Sequence, residues 1–213
     1  MFCYQCEQTM GGKGCTNAGV CGKDPETAAL QDLLIEEVKR ISQYASKAAS
    51  LGASDREVDM FVTEGLFTTV TNVNFDPECL EKLIRKGDVL LQKSKKLYTD
   101  AAKAKGVAAE EIAGANAFKL SPDRKGLVNQ AIEVSVEQSI SKNGADVAGL
   151  QELIIYGLKG TAAYADHAAI LGKEDAAVYK FFHDTLSFLA SNPSDIGKLL
   201  ETALKVGETN LKA

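Results

Sequence analysis

The sequence predicts an all-α protein, on three observations. The 213-residue chain is rich in Ala, Leu, Lys and Glu and holds only four prolines, a composition that favours helix. Apolar residues recur every three or four positions in one stretch after another. No stretch alternates apolar and polar residues as a half-buried strand would.

Each helix has a start signal. Asp24 can accept backbone N–H bonds and Pro25 supplies a helical φ, so a first helix is expected over about 25–51, carried by Leu30, Leu33, Leu34, Val38, Ile41, Ala45 and Ala48 and stopped by Gly52. Ser54 and Asp55 can cap a second through Phe61, Leu66, Phe67 and Val70, ending near Thr71-Asn72-Val73-Asn74. Asp76-Pro77 repeats the start, and Leu80, Leu83, Ile84, Leu90, Leu91 and Leu97 carry a third helix to about Lys105, before Gly106. Three helices joined by short turns read as a bundle. A short helix from Ala109 to Phe118 is expected next, then one from Ser121-Pro122 to about Ser141 despite its β-branched residues. The helix over about Asp146–Leu171 carries Gly157 and Gly160, which would let another backbone approach, and is expected to be central. Helices over about 174–190 and 194–212 complete a second group.

Composition excludes several function classes. A chain of this length can bury ~70% of its unfolded surface, so a metal is not needed to replace a core. Net charge is -5, and no broad patch of Lys and Arg could track phosphates, which argues against nucleic-acid binding. No apolar run is long enough to span a membrane, and the start lacks a basic, greasy leader. A cytoplasmic location is expected, with cysteines kept as thiols; five cysteines also cannot form a complete disulfide framework.

Four of those five lie in the first two dozen residues, Cys3, Cys6, Cys15 and Cys21, spaced C-x2-C-x8-C-x5-C and interleaved with Gly11, Gly12, Gly14, Gly19 and Gly22. Such a loop can wrap one compact object, and a metal centre is the candidate. A structural zinc would use the four thiolates as a tetrahedron, but zinc ribbons bring two C-x-x-C knuckles and only Cys3 and Cys6 form one. An iron–sulfur cluster needs thiolates spread around a larger core with N–H groups directed at its sulfides, which glycine-rich spacing suits. Four unliganded thiols would be open to oxidation. Phe2, Tyr4, Met10 and Val20 are candidate shields from water, and Lys13 and Lys23 candidate tuners of potential.

The opening MFCYQCEQTMGGKGCTNAGVCGKDPETAALQDLL closely resembles the N-terminus of the hybrid-cluster proteins, the hydroxylamine reductases, and YGLKGTAAYADHAAILG at 156–172 is similar to a second helical segment of that family. The resemblance covers the whole chain as the family's N-terminal domain. It implies two three-helix bundles preceded by the cysteine loop: a cluster-binding loop at 1–24, a first bundle at 25–106 and a second at 107–213. It further implies that Cys3, Cys6, Cys15 and Cys21 carry a [4Fe-4S] cubane that accepts electrons from a reductase or small redox carrier. Full-length relatives continue into domains with the His, Glu and Cys ligands of a hybrid iron-sulfur-oxygen cluster, where hydroxylamine becomes ammonia and nitric oxide is a second candidate substrate. This chain has no cysteine after Cys79, so by itself it supplies no catalytic residue for that cluster and reads as a fragment or a shortened relative. The alternative is a non-enzymatic helical module with a structural zinc or iron–sulfur site.

The remaining candidates are weaker. Cys79 reads as a small buried hydrophobe in the first turn of its helix. His167 and His183 each stand beside an aspartate, Asp166 and Asp184, and read as surface or capping residues before proton carriers. Tyr164 and Lys180 precede them by three positions where a di-iron site would need glutamate, and Gly12-Lys13-Gly14-Cys15-Thr16 lacks the phosphate-loop pattern. Glu36-Glu37 and Glu110-Glu111 read as solvated faces.

Overall fold

Aspartate starts six of the eight α-helices that the computed structural model contains among its described residues, 1–71, 73–116 and 118–213. The helices are α1 (Pro25–Ser50), α2 (Arg56–Thr68), α3 (Pro77–Ala104), α4 (Arg124–Ala131), α5 (Val136–Asn143), α6 (Ala145–Ile170), α7 (Ala176–Ala190) and α8 (Ile196–Asn210). Asp24 accepts from Thr27 N at 2.8 Å, Asp76 from Glu78 N at 2.8 Å and Asp195 from Lys198 N at 3.0 Å, each satisfying a donor that the helix leaves unpaired. Asn72 and Ala117, at the expected end of the second helix and inside the short expected one, lie outside the described residues.

Two expected helices are altered. Between 107 and 123 the described backbone forms only a 3-10 turn, Gly114–Asn116. Its polar groups go elsewhere: Arg40 donates to Ala115 O and Phe118 O, both at 2.9 Å, and Glu110 N donates to the Tyr98 hydroxyl at 3.1 Å. The helix expected to reach Ser141 is broken at Ser135, which is extended (ψ 158) and caps α5 through its Oγ. Ile132, Val134 and Val136 crowd the backbone on either side, so the break sits where helix propensity is lowest.

The centre of the molecule is α1, not α6. It packs against α2, α3, α4 and α7, because its buried residues run round most of its circumference, from Leu30 and Leu33 to Tyr44 and Ala48. The α6 helix packs on α2, α5 and α8, and one hydrophobic cluster runs from Leu30 to Val206. Between α6 and α8 lies a groove of about 740 Å³, walled by the exposed Leu153, Tyr164, Leu200 and Leu204. No helix among the described residues is long and apolar enough to cross a membrane.

Candidate metal centre

The cysteine loop is folded by its own backbone. Cys3 and Cys15 face each other in an antiparallel bridge, with Cys3 N donating to Cys15 O at 3.1 Å and Cys15 N to Cys3 O at 2.9 Å. Between them Thr9 N donates to Cys6 O at 3.2 Å, and a 3-10 turn at Met10–Gly12 reverses the chain, with Gly11 and Gly12 at φ 61 and 68, values that a side chain would strain. Gly19 N donates to Lys23 O at 2.8 Å, which curls Cys21 back toward the start of α1. Phe2 lies against Gly14 and edge-on to Tyr4 at 5.1 Å, and Tyr4 meets Tyr156 of α6 at 6.1 Å, so an aromatic series docks the loop onto α6. Met10 and Val20, expected as shields, are instead 51% and 53% exposed.

All four loop cysteines are free thiols, Cys15 buried and the others partly buried. Backbone N–H groups of Met10 and Val20 hold the Cys15 thiol below its ordinary range, and Lys23 adds to that, which favours the thiolate form that binds metal. No group of three or more His, Cys, Asp or Glu side chains among the described residues closes on a single-ion site. A single zinc would draw every sulfur to about 2.3 Å from one point, whereas a cluster needs its sulfurs spread around a larger body.

The surroundings would suit an anionic guest, with part of the Lys23 charge already offset by Asp32 on the same pocket. Lys23 is 2% exposed, and its Nζ donates to the neutral Gln31 Oε1 at 2.5 Å with no carboxylate in salt-bridge range among the described residues. A buried ammonium is unfavourable unless negative charge lies near. Within the loop itself, Thr9 Oγ1 is buried without any hydrogen-bond partner. A cubane of iron and sulfide with four thiolates supplies both an anion and acceptor sulfides, so the donor set and its surroundings fit such a group.

Behind Cys3 lies a partly open pocket of about 30 Å³, large enough to hold ordered water, with Lys23, Asp32, Glu152, Tyr156 and Lys159 on its walls. Lys159 is 4% exposed, donates to Thr69 O at 3.2 Å and lies 5.6 Å over the Tyr156 ring. Burial pushes its ammonium down to about 8, opposed by Glu152 and Asp32. Burial and the adjacent Glu152 lift the Asp32 carboxyl up to about 7, opposed by Lys159, Lys23 and Lys39. Burial also raises Tyr156, and it pushes Tyr4 up to about 12. None of these cavity groups except Lys23 stands out by residue type. The available signal was Glu152, Tyr156 and Lys159 at i, i+4 and i+7, which puts two charges and a phenol on one face of an otherwise apolar helix.

Residues 1–213 match the prismane/CO dehydrogenase family over their full length. The chain belongs to that family. Among curated relatives, the hydroxylamine reductase of Rhodospirillum rubrum is 44% identical over 99% of the chain and 38% of the relative. Those of Geobacter sulfurreducens and Methanocella arvoryzae are 45% and 42% identical over 100% of the chain and 38% of each relative. The chain therefore spans well under half the length of these members of the family.

The other residues singled out in the sequence stand apart from the loop of this prismane-family chain. Cys79 is half-buried, and its sulfur accepts from Asn74 Nδ2 at 3.4 Å. His167 is exposed and meets the Phe67 ring edge-on at 5.5 Å. His183 is buried rather than capping, with Nδ1 3.2 Å from Ser42 Oγ and Nε2 2.8 Å from Asp59 Oδ1. Its sequence neighbour Asp184 turns away to Ser46 and Lys180. Ser42, His183 and Asp59 have the order of a hydrolytic triad, but Ser42 is 0% exposed in mid-helix, so no substrate reaches it. Glu37 is likewise fully buried, paired with Arg40, and not on a solvated face.

Proposed function

We propose that Cys3, Cys6, Cys15 and Cys21 hold one [4Fe-4S] cluster, and that the chain is the electron-relay part of a hydroxylamine-reducing enzyme. The observation that carries this reading is a loop of four free thiols folded together by the Cys3–Cys15 backbone bridge, beside a buried Lys23 with no carboxylate in salt-bridge range among the described residues. Family membership supports it, since prismane-family proteins bind iron–sulfur clusters. When bound, such a cluster exchanges single electrons at a potential set by charge, hydrogen bonds and exposure.

The chain's own residues do the rest. The Cys3–Cys15 bridge and the turn at Met10–Gly12 fix the spread of the thiolates, and the N–H groups of Met10 and Val20 stabilise the Cys15 thiolate. Thr9 Oγ1, buried in the loop without a partner, is available there as a hydrogen-bond donor. Phe2, Tyr4 and Tyr156 exclude water from the inner side, while the exposed Met10 and Val20 form the outer side, where a reductase or small redox carrier would approach. The reduction of hydroxylamine to ammonia, with nitric oxide as a second substrate, belongs to the longer family members, whose further residues would receive the electron. A cytoplasmic setting agrees with four thiols kept reduced.

Anaerobic purification and reconstitution test the reading. A brown protein absorbing near ~400 nm with about four iron and four sulfide per chain is expected. A colourless protein with one zinc per chain would overturn it in favour of a structural zinc module.

A further inference from the structure

The cavity behind Cys3 gathers more charge than any structural role of the loop requires. Lys23 enters it from the loop just before α1 and Lys159 from α6, while Asp32 enters from α1 and Glu152 from α6. Neither lysine has a carboxylate in salt-bridge range among the described residues. These groups, with Lys39 on the same wall, act on each other and on Cys3 across one small polar pocket rather than by direct pairing. Bulk water screens such buried groups less than surface charges, so a unit charge on the same pocket as Cys3 is felt at a redox centre there. Lys23 is 2% exposed and Lys159 4% exposed, so bulk water has little access to either ammonium.

We infer that this cavity is the electrostatic floor of the redox centre, in which Lys159 favours the reduced, more negative state and Asp32 opposes it. The inference rests on the cluster reading above and deepens it by naming residues, remote from the thiolates in sequence, that set the potential. Lys159 is a positioning charge and not a ligand. Its Nζ is held by Thr69 O at the end of α2 and by the Tyr156 ring, so helix packing fixes its distance from the loop. Gaining one electron makes an anionic centre more negative, which a fixed cation favours. Removing Lys159 therefore lowers the midpoint potential, and removing the Asp32 carboxylate raises it.

The test uses the full chain, reconstituted anaerobically, as wild type, Lys159→Gln, Lys159→Arg, Asp32→Asn and the double variant Lys159→Gln/Asp32→Asn. Iron, sulfide and helical content are measured on each, and midpoint potentials by redox titration at about pH 7.5, where Asp32 is mostly ionised and Lys159 mostly protonated. At fixed ambient potential, Lys159→Gln is expected to reduce the reduced-to-oxidised ratio about tenfold, equivalent to ~59 mV for one electron. Lys159→Arg should stay with the wild type, Asp32→Asn should shift upward, and the double variant should fall between the singles. Opposite signs with partial cancellation are a charge signature that loosened packing would not produce. Unmoved potentials in loaded variants, or shifts of one sign for both singles, overturn this inference and leave the cluster reading intact. A wild type that takes up no iron and sulfide overturns both. If Lys159→Gln does not fold, the sign of the Asp32→Asn shift decides alone, and an unmoved or lowered potential there overturns the inference.

Discussion

Lys23 Nζ donates to Gln31 Oε1 at 2.5 Å, and Gln31 Nε2 donates onward to Asn74 O at 2.8 Å, so one amide joins the cysteine loop, α1 and the α2–α3 connection. The ammonium is thereby held in place without being neutralised. Replacing Lys23 with Gln should lower the midpoint potential of the loaded protein by roughly 59 mV, a tenfold change in ratio. Lys13, exposed on the same loop, is screened by salt, and Lys13→Gln should leave the potential unchanged at physiological ionic strength. Redox titration of the two variants side by side checks this, and equal shifts would refute it.

Phe2 presses so closely on Gly14 that a Cβ there would collide with its ring. Gly14→Ala should therefore push Phe2 off Tyr4 and loosen the loop from α6. The expected result is at least a halving of iron per chain after reconstitution, with helical content and Tm nearly unchanged, since the loop lies outside the helices. Normal iron loading in Gly14→Ala would show that the aromatic docking is dispensable.

Glu37 is buried against Arg40, with its Oε2 left unpartnered. Burial lifts its carboxyl from 4.5 to about 7, partly countered by Arg40. The folded state therefore binds more protons than the unfolded chain between those values, so this group's contribution to stability falls as pH rises from about 5 to about 7. Glu37→Gln should flatten that part of the Tm-versus-pH profile. Arg40→Met, which leaves the carboxylate alone, should cost about 3–5 kcal/mol at pH 8. Denaturant melts at pH 5 and pH 8 decide, and an unchanged slope in Glu37→Gln would contradict the assignment.

His183 bridges Ser42 and Asp59 across three helices. Ser42→Ala should leave ester hydrolysis at the solvent background, as in the wild type, because the hydroxyl is sealed from substrate. His183→Ala, which strands the buried Ser42 and the partly buried Asp59, should destabilise the fold by about 1–3 kcal/mol. A measurable esterase rate abolished by Ser42→Ala would reverse this reading.

Two glycines of α6 are predicted to respond in opposite directions. A Cβ at Gly157 would stand 2.6 Å from Val206 Cγ1, so Gly157→Ala should force α8 outward and cost about 1–3 kcal/mol. A Cβ at Gly160 meets nothing within 4 Å, so Gly160→Ala should stabilise the helix by about 0.5–1 kcal/mol. Urea melts of the two variants check both signs.

The parts legible in the sequence are those governed by local chemistry. Asp24, Asp55 and Asp76 announce helix starts within a few residues of themselves, and the C-x2-C-x8-C-x5-C spacing marks the loop without any knowledge of the fold. What stayed hidden depends on distant partners. The segment at 109–118 has helical composition, yet Arg40 and Tyr98 bind its backbone groups in another conformation. His183 looks paired with Asp184 along the chain, but the fold delivers Ser42 and Asp59 instead. Lys159 reads as one more polar helix position, and only the packing of α6 beside the loop and α2 turns it inward.

The aromatic and charged floor of the loop belongs to α6, far along the chain from the cysteines it serves. During synthesis at ~5–20 residues per second, all four thiols leave the ribosome many seconds before Tyr156 and Lys159 exist. In that interval the loop has its ligands but no inner wall, and its sulfurs are open to oxygen and to the wrong metal. If the proposed cluster is bound there, its loading belongs after α6 has docked, and expression that outpaces the iron and sulfide supply should accumulate mismetallated or oxidised protein.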